Sequence, residues 1–409
     1  MNDEDTPAPS RAFVPLSTLM AFIAVLTISP SMRAGATSLG PVLDAIETAY
    51  GIGQIGSGIL SALPCLVFAA VGAPAVPLAT RFGLTPTLVG GMLISTIGLA
   101  LRPYVTGYAA FIALSVAALI GPALANVIVP AWVKLHKAGR AVLLLSVYGT
   151  LLPLGGAAGS ALSAPIAGAD GAQWRTALVI WAPLAALAVA VWAWAQRLTG
   201  RDIPPIAAPH GGTRASLLRS PTALALMTMF GLQSFNAYVQ FGQLPVILAS
   251  LGIERATAGA MVAAINLWAM LGGLLIPKVV DTSTHLPLIA GSFGIITASG
   301  YLGLLLAPLA APWLWICLLA IGGFAFPLGI ALIPARARTA ATTARLSGMV
   351  QPGAYLLAAI GPIAVGILLE STGSTTHVLW LLIGVALLMG AIGVRAARPG
   401  YVDDDMERG

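Results

Sequence analysis

Residues 14–46 read VPLSTLMAFIAVLTISPSMRAGATSLGPVLDAI. The run is longer than the ~20 apolar residues a helix needs to cross a bilayer, and it carries Arg33 in its interior. Counting from Arg33, the run extends roughly 20 residues one way and roughly 13 the other, or ~20 Å to the nearer end. That distance is beyond an easy snorkel to the headgroups. A permanent charge at such depth costs several kcal/mol unless it faces protein or water. Arg33 therefore reads as the anchor of a substrate site, with Thr37 one helical turn further along the same face. An arginine that pins two helices together is the alternative reading. Pro30 before it, and Gly35, Gly40 and Pro41 after it, predict a kinked or broken helix of the kind that lines binding sites.

The rest of the composition agrees with a membrane solvent. The 409-residue chain is 58% hydrophobic and only 8% charged, against about 25% charged residues in soluble domains. Its net charge of +6 suggests nucleic acid only if the protein is soluble; in a membrane protein, basic loops on one side explain it. Cys65 and Cys317 stand far apart in apolar stretches and read as small core residues, with no disulfide framework, metal spacing or cofactor motif. The first apolar run is too long for a secretory signal and is expected to remain as a span.

Apolar windows of crossing length recur twelve times between residues 14 and 396. They predict an all-α integral membrane protein with twelve transmembrane helices. Basic residues such as Arg81, Lys134, Lys137, Arg140, Arg197, Arg336 and Arg395 fall on the side of both termini. The opposite loops hold little beyond Arg175, Arg255 and Arg102. The positive-inside rule then places both termini in the cytoplasm of a multi-pass inner-membrane protein. Residues 1–13 form an N-terminal tail and 14–196 a first six-helix bundle. A linker rich in Pro, Gly and Arg spans 197–220, and a second bundle covers 221–396. The tail 397–409, with Asp403, Asp404 and Asp405, reads as a solvated end. Gly51-Ile-x5-Gly58 returns as Gly252-Ile-x5-Gly259, and Ile120-Gly121 returns as Ile321-Gly322. Two matches at the same offset point to a duplication, with the halves related by an axis along the membrane normal.

Polar residues inside the spans supply the candidate site. Gln233, Asn236, Gln240 and Gln243 share one face of the seventh span. Amides in hydrocarbon need partners, so this stripe should face a wet cavity or another helix. Asn126, Tyr148, Asn266, Gln351 and Tyr355 add donors and acceptors on the fourth, fifth, eighth and eleventh spans. Any one of them is equally served by an interhelical hydrogen bond worth ~0.6 kcal/mol. As a set on equivalent helices of both halves they read as a cavity lining. No acidic residue lies mid-span; Asp44, Glu47 and Glu370 sit near the outer ends. The histidines His136, His210, His285 and His377 fall in loops or at span ends. An unpaired positive charge in the cavity fits an anion or an electron-rich polar solute.

These residues resemble the cyanate/2-nitroimidazole transporter branch of the major facilitator superfamily. The block Ser31-Met-Arg33-x3-Thr37-Ser38-x-Gly40-Pro41 is similar to that family's Asn-x-Arg-Pro-x-x-Thr-Ser-x-Gly-Pro, with Ser31 and Ala34 as departures. Weaker matches follow at Asn126-x3-Pro130-x3-Lys134, Gln173-Trp174-Arg175, Gln233-Ser234-x3-Tyr238, Phe326-Pro327-Leu328 and Gln351-x-Gly353. Gln243 stands where the family has Trp, and Thr80 replaces the aspartate of the facilitator Asp-Arg-x-Gly loop. The resemblance implies the major facilitator fold, two pseudo-symmetric six-helix bundles, and a single-chain inner-membrane carrier of small solutes; a twelve-span carrier can work as a monomer.

The leading expectation is a secondary active transporter that moves a small anion or polar molecule, cyanate-like, by alternating access. Arg33 would hold the electron-rich group, with Thr37, Ser38, Gln233 and Asn236 completing the hydrogen bonds. The second reading is proton-coupled efflux of a neutral drug-like solute such as a nitroimidazole, with Glu47 or Glu370 carrying the proton. A membrane-embedded enzyme or sensor is a third reading. Against it, the chain has no Gly-x4-Gly-Lys-Ser/Thr phosphate loop and no intramembrane His/Asp cluster. The expected partners are the lipid bilayer and a small-molecule substrate, not nucleic acid.

Overall fold

The structure, a computed structural model, describes residues 16–204 and 217–408. The tail 1–13 and the middle of the linker, with His210 and Arg214, lie outside the described residues. The first half holds α1 (Thr18–Thr37), α2 (Gln54–Gly72), α3 (Leu84–Leu101), α4 (Tyr108–Lys137), α5 (Ala141–Ala167) and α6 (Ala182–Thr199). The second holds α7 (Pro221–Gly242), α8 (Arg255–Thr282), α9 (Leu286–Leu306), α10 (Pro312–Gly322, resumed at Ala325–Ala335), α11 (Ala340–Thr372) and α12 (Thr375–Ala396). A short α13 (Val402–Arg408) closes the chain. Among the described residues, eleven helical stretches are long and apolar enough to cross a membrane. The remaining span, α7, is diluted by Gln233, Ser234, Asn236 and Gln240.

Each half packs around its own apolar core. In the first, Ile28, Leu88, Trp132 and Trp192 are among the fully buried side chains, and in the second Phe230, Leu328 and Leu382. The halves meet where α2 packs on α11 and α5 packs on α8, which is the pairing a twofold repeat requires. The repeated glycines explain the closeness of that seam. A Cβ on Gly58 would stand 2.5 Å from the Pro362 carbonyl of α11, and one on Gly259 would stand 2.7 Å from the Ser160 carbonyl of α5. Gly51 and Gly252, which open the two copies of the motif, both adopt positive φ (61° and 91°). The sequence repeat is thus a repeat of contacts.

The C-terminal tail and the linker depart from the expected layout. The C-terminal tail is docked rather than solvated. Val402 is buried, and Asp405 accepts from the Ser220 hydroxyl (2.7 Å) and the Thr222 N–H (3.2 Å) at the start of α7. Asp403 accepts from the Arg338 N–H (2.9 Å) and the Thr342 hydroxyl (2.7 Å) at the start of α11. Carboxylates at helix N-termini satisfy free N–H groups and complement the dipole, which explains the docking of an acidic tail. Within the first half, the carboxylate absent at Thr80 is matched by one from the linker. Asp202 is fully buried, accepts from the Thr85 N–H (2.8 Å) and hydroxyl (2.5 Å), and pairs with His136 Nε2 (3.0 Å).

Candidate functional site

The first helix breaks where its sequence predicts. Past Thr37, α1 tightens into a 3-10 turn at Gly40–Val42 and resumes as Leu43–Tyr50. Pro30 lies inside the helix, and the Gly155 and Gly159 surfaces of α5 let its backbone approach at Pro30 and at Ala34. This packing presents Met32, Arg33, Ala36 and Thr37 to a cavity shared with Ser61, Pro64 and Phe68 of α2 and with Tyr238 and Phe241 of α7. The cavity between the halves measures ≈ 30 Å³. A single water needs about 10–15 Å³ on that measure, so the space suits a solute of a few atoms.

Arg33 is half-buried in this wall. Its guanidinium carbon lies 5.7 Å from the centroid of Phe241, and its charge reaches the phenols of Tyr148, Tyr238 and Tyr355. Among the described residues no carboxylate comes within ion-pair distance of it. A cation–π contact contributes ~0.5–2 kcal/mol, less than the several kcal/mol that burying a charge costs. The site is therefore electropositive and aromatic, with its cation uncompensated.

Thr37 joins this wall and also ties it to α5, donating to the Gly156 carbonyl at 2.8 Å. Asn266 of α8 places its side-chain oxygen beside Gly156, where a Cβ on that glycine would also meet Arg33. Tyr355 stacks edge-on against Phe68 (5.8 Å) and Tyr238 (6.3 Å), bridging the halves at the cavity. Tyr148 donates to Asn126 at 3.1 Å, so these two form one pair on α4 and α5. Gln351 donates to Ser347, a turn away on its own helix.

Other expected members stand elsewhere. Ser38, the C-cap of α1, faces away from the cavity because the helical step turns it ~100° from Thr37: it is fully buried, donates to Gly35 O (3.0 Å) and faces Arg102 (3.4 Å). The amide stripe of α7 turns into its own half. Gln240 donates to the Tyr301 hydroxyl of α9 (3.0 Å), and Gln243 donates to the Pro362 carbonyl of α11 (3.0 Å). Gln233 points at Gly323 (3.5 Å), and Asn236 bonds Leu232 on its own helix (3.0 Å). The face of α7 that meets Arg33 carries Tyr238 and Phe241 instead, across the helix from the stripe. Phe68, Tyr238, Phe241 and Ser61 were not among the sequence-derived candidates. The α7 pair is legible in the sequence only as aromatic neighbours at i, i+3 on the face opposite the amides.

Two links tie the halves at the end away from the linker. Asp44 pairs with Arg255 of α8, and Glu370 of α11 accepts from the Ile55 N–H of α2 at 2.9 Å. That end of the two-bundle fold is therefore bridged by polar contacts between the halves.

The chain belongs to the Major Facilitator Superfamily, whose family model matches residues 19–350. It is a multi-pass membrane transporter. Over 92% of its length it is 33% identical to the uncharacterized transporter YycB of Bacillus subtilis, covering 93% of that protein. It is 32% identical over 91% of its length to the 2-nitroimidazole transporter of Escherichia coli (94% covered). To the cyanate transport protein CynX of Escherichia coli it is 23% identical over 86% (90% covered). Among solved structures, a bacterial homolog of the human lysosomal transporter Spinster, inward-facing and unoccupied, superposes with a TM-score of 0.76 at 16% identity (94% of this chain, 98% of that one).

Proposed function

We propose that this protein carries a small anion, or a planar solute with an electron-rich polar group, across the inner membrane by alternating access, with Arg33 as the residue that grips it. The observation that supports this most directly is an arginine in the cavity between the halves that has no carboxylate partner among the described residues. A ligand that neutralises Arg33 supplies what the apolar wall withholds, so binding and conformation are coupled through the same charge. The excess of basic residues on the terminal side favours cytoplasmic termini. With that orientation the bridged end faces outward. The chain then acts as a monomeric carrier, not an enzyme, and takes no nucleic acid or cofactor.

The second reading, export of a neutral nitroheterocycle, draws on the aromatic walls of Phe68, Tyr238, Phe241 and Tyr355, and on the relative named as a 2-nitroimidazole transporter. A thermal-shift panel of purified protein separates the two. Cyanate, nitrate, small carboxylates and 2-nitroimidazole are compared at two pH values, with Arg33→Ala and Arg33→Lys beside the native chain. Stabilisation by an anion that Arg33→Ala abolishes and Arg33→Lys weakens is the expected result. Stabilisation by 2-nitroimidazole alone, retained in Arg33→Ala, selects the second reading; an anion shift untouched by either substitution removes Arg33 from the site.

A further inference from the structure

A second arginine lies behind the first. Arg102, at the end of α3, is among the largest fully buried side chains of the protein, with 1% of its surface exposed. By hydropathy it belongs to an outer loop, and the positive-inside count treats it so. In the structure its Nη2 donates to the Gly35 carbonyl at 2.8 Å and reaches the Ser38 hydroxyl oxygen at 3.4 Å. Among the described residues it has no carboxylate partner, and its Nε has no hydrogen-bond partner at all.

The contacts fall at a particular point of α1. The helix stops at Thr37, so the carbonyls of its last turn lose their usual N–H donors. The Ser38 N–H goes to Ala34 and the Leu39 N–H to Ala36, which leaves Gly35 O without a backbone donor. Arg102 and the Ser38 hydroxyl take that carbonyl. One turn earlier on α3, Leu99 presses so closely on Gly35 that a Cβ there would stand 2.5 Å away. The segment is therefore clamped from behind by α3, while Arg33, Ala36 and Thr37 form the cavity wall in front.

We infer that Arg102 is a positioning residue for the Arg33 site. It holds the carbonyl at which α1 breaks, and so sets the direction in which Arg33 and Thr37 face the solute. Its own charge meets only the partial negative end of α1, about half an elementary charge, so a net positive field remains behind the cavity. Both effects favour an anion without Arg102 touching it. The inference rests on Arg33 being the gripping residue, and the test keeps the two separable.

Purified protein is titrated with potassium cyanate, and separately with sodium nitrate, and the concentration giving half-maximal thermal stabilisation is read for the native chain, Arg102→Gln, Arg102→Lys and Arg33→Ala. Hydrogen exchange of backbone amides 33–43 is measured without ligand. Arg102→Gln is expected to raise the half-stabilising concentration about tenfold or more, in line with the effect of a misplaced binding group, while the unliganded melting temperature stays close to native. Arg102→Lys, which keeps the charge, recovers part of that loss. Exchange at 33–43 quickens in Arg102→Gln, while α8 keeps its protection. If Arg102→Gln does not fold, Ser38→Ala removes one of the two gripped groups and is expected to shift in the same direction by less. A native half-stabilising concentration together with unchanged exchange at 33–43 overturns the inference. So does a loss of protection through the whole first half with no recovery in Arg102→Lys. If neither anion stabilises the native chain, or if Arg33→Ala keeps the shift, the reading of Arg33 fails. Exchange at 33–43 then decides Arg102 alone, and unchanged protection there overturns it.

Discussion

A single charge in an apolar run is the most legible feature a membrane sequence carries, because its burial cost leaves few places for it to stand. Arg33 is read correctly as facing the protein interior for that reason. Thr37 follows from it by one turn of unbroken helix; it joins the cavity lining, and its hydroxyl holds the Gly156 carbonyl of α5 at 2.8 Å. Ser38, only one residue on, was expected in the same group and is not there. Ser38 keeps helical backbone angles as the C-cap, two residues before the 3-10 turn, and the ~100° helical step from Thr37 carries its side chain off the cavity face toward Arg102. Thr37 therefore offers a test at the scale of one atom. Thr37→Val keeps the shape and loses the donor, and is expected to lower stability by about 1 kcal/mol, the net worth of a buried hydrogen bond. Thr37→Ser keeps the donor and is expected to hold most of that stability. Melting of the purified proteins in one detergent checks both; equal melting of valine and native chains means the α1–α5 bond contributes nothing.

Among the elements, the repeat was legible because a glycine is retained where two backbones must touch, and touching pairs are duplicated with the halves. Gly58 and Gly259 make corresponding contacts, on α11 and on α5. The amide stripe of α7 shows the limit of the same kind of reading. Periodicity places Gln233, Asn236, Gln240 and Gln243 on one face, yet nothing in a period says whether that face looks into the gap between halves or into its own half. The partners Tyr301, Pro362 and Gly323 belong to α9, α11 and the break in α10, so Gln233, Gln240 and Gln243 pack within the second half, while Asn236 bonds only its own helix. Likewise, the acidic tail looked solvated because helix N-termini, its actual partners, are invisible as charges in a sequence. Glycine substitutions test the element scale. Gly58→Ala forces a Cβ to 2.5 Å from the Pro362 carbonyl and is expected to cost about 1–3 kcal/mol as overpacking. Gly90→Ala on α3, with nothing within 4 Å of the added carbon, is expected to be neutral or to stabilise by about 0.5–1 kcal/mol through helix propensity. Thermal unfolding of the two variants side by side checks the contrast, and similar destabilisation in both contradicts the seam argument.

For the whole molecule, alternating access requires that the links closing one end be weak enough to break in each cycle. The Asp44–Arg255 pair suits that requirement, since its side chains retain 30% and 47% of their exposure. Exposed pairs contribute about 0–1 kcal/mol. The Glu370 link to the Ile55 N–H is likewise an exposed one. Each link therefore biases the equilibrium between end-closed and end-open states without locking it, and removing one is expected to raise the end-open population by up to about fivefold. The population is read with Ser61→Cys, a cavity position, in a chain whose Cys65 and Cys317 are replaced, reconstituted in vesicles and exposed to a membrane-impermeant thiol reagent. Reagent added on the Asp44 side is expected to label slowly in the parent chain. In Asp44→Asn or Arg255→Gln it is expected to label up to about fivefold faster. The charge-exchanged double variant Asp44→Arg with Arg255→Asp restores the slow rate, because the pair depends on opposite signs and not on which helix carries which. Labelling from that side that is unchanged by every one of these substitutions means the bridge does not hold the end shut, and closure then resides in the apolar seam of α2 with α11 and α5 with α8 alone.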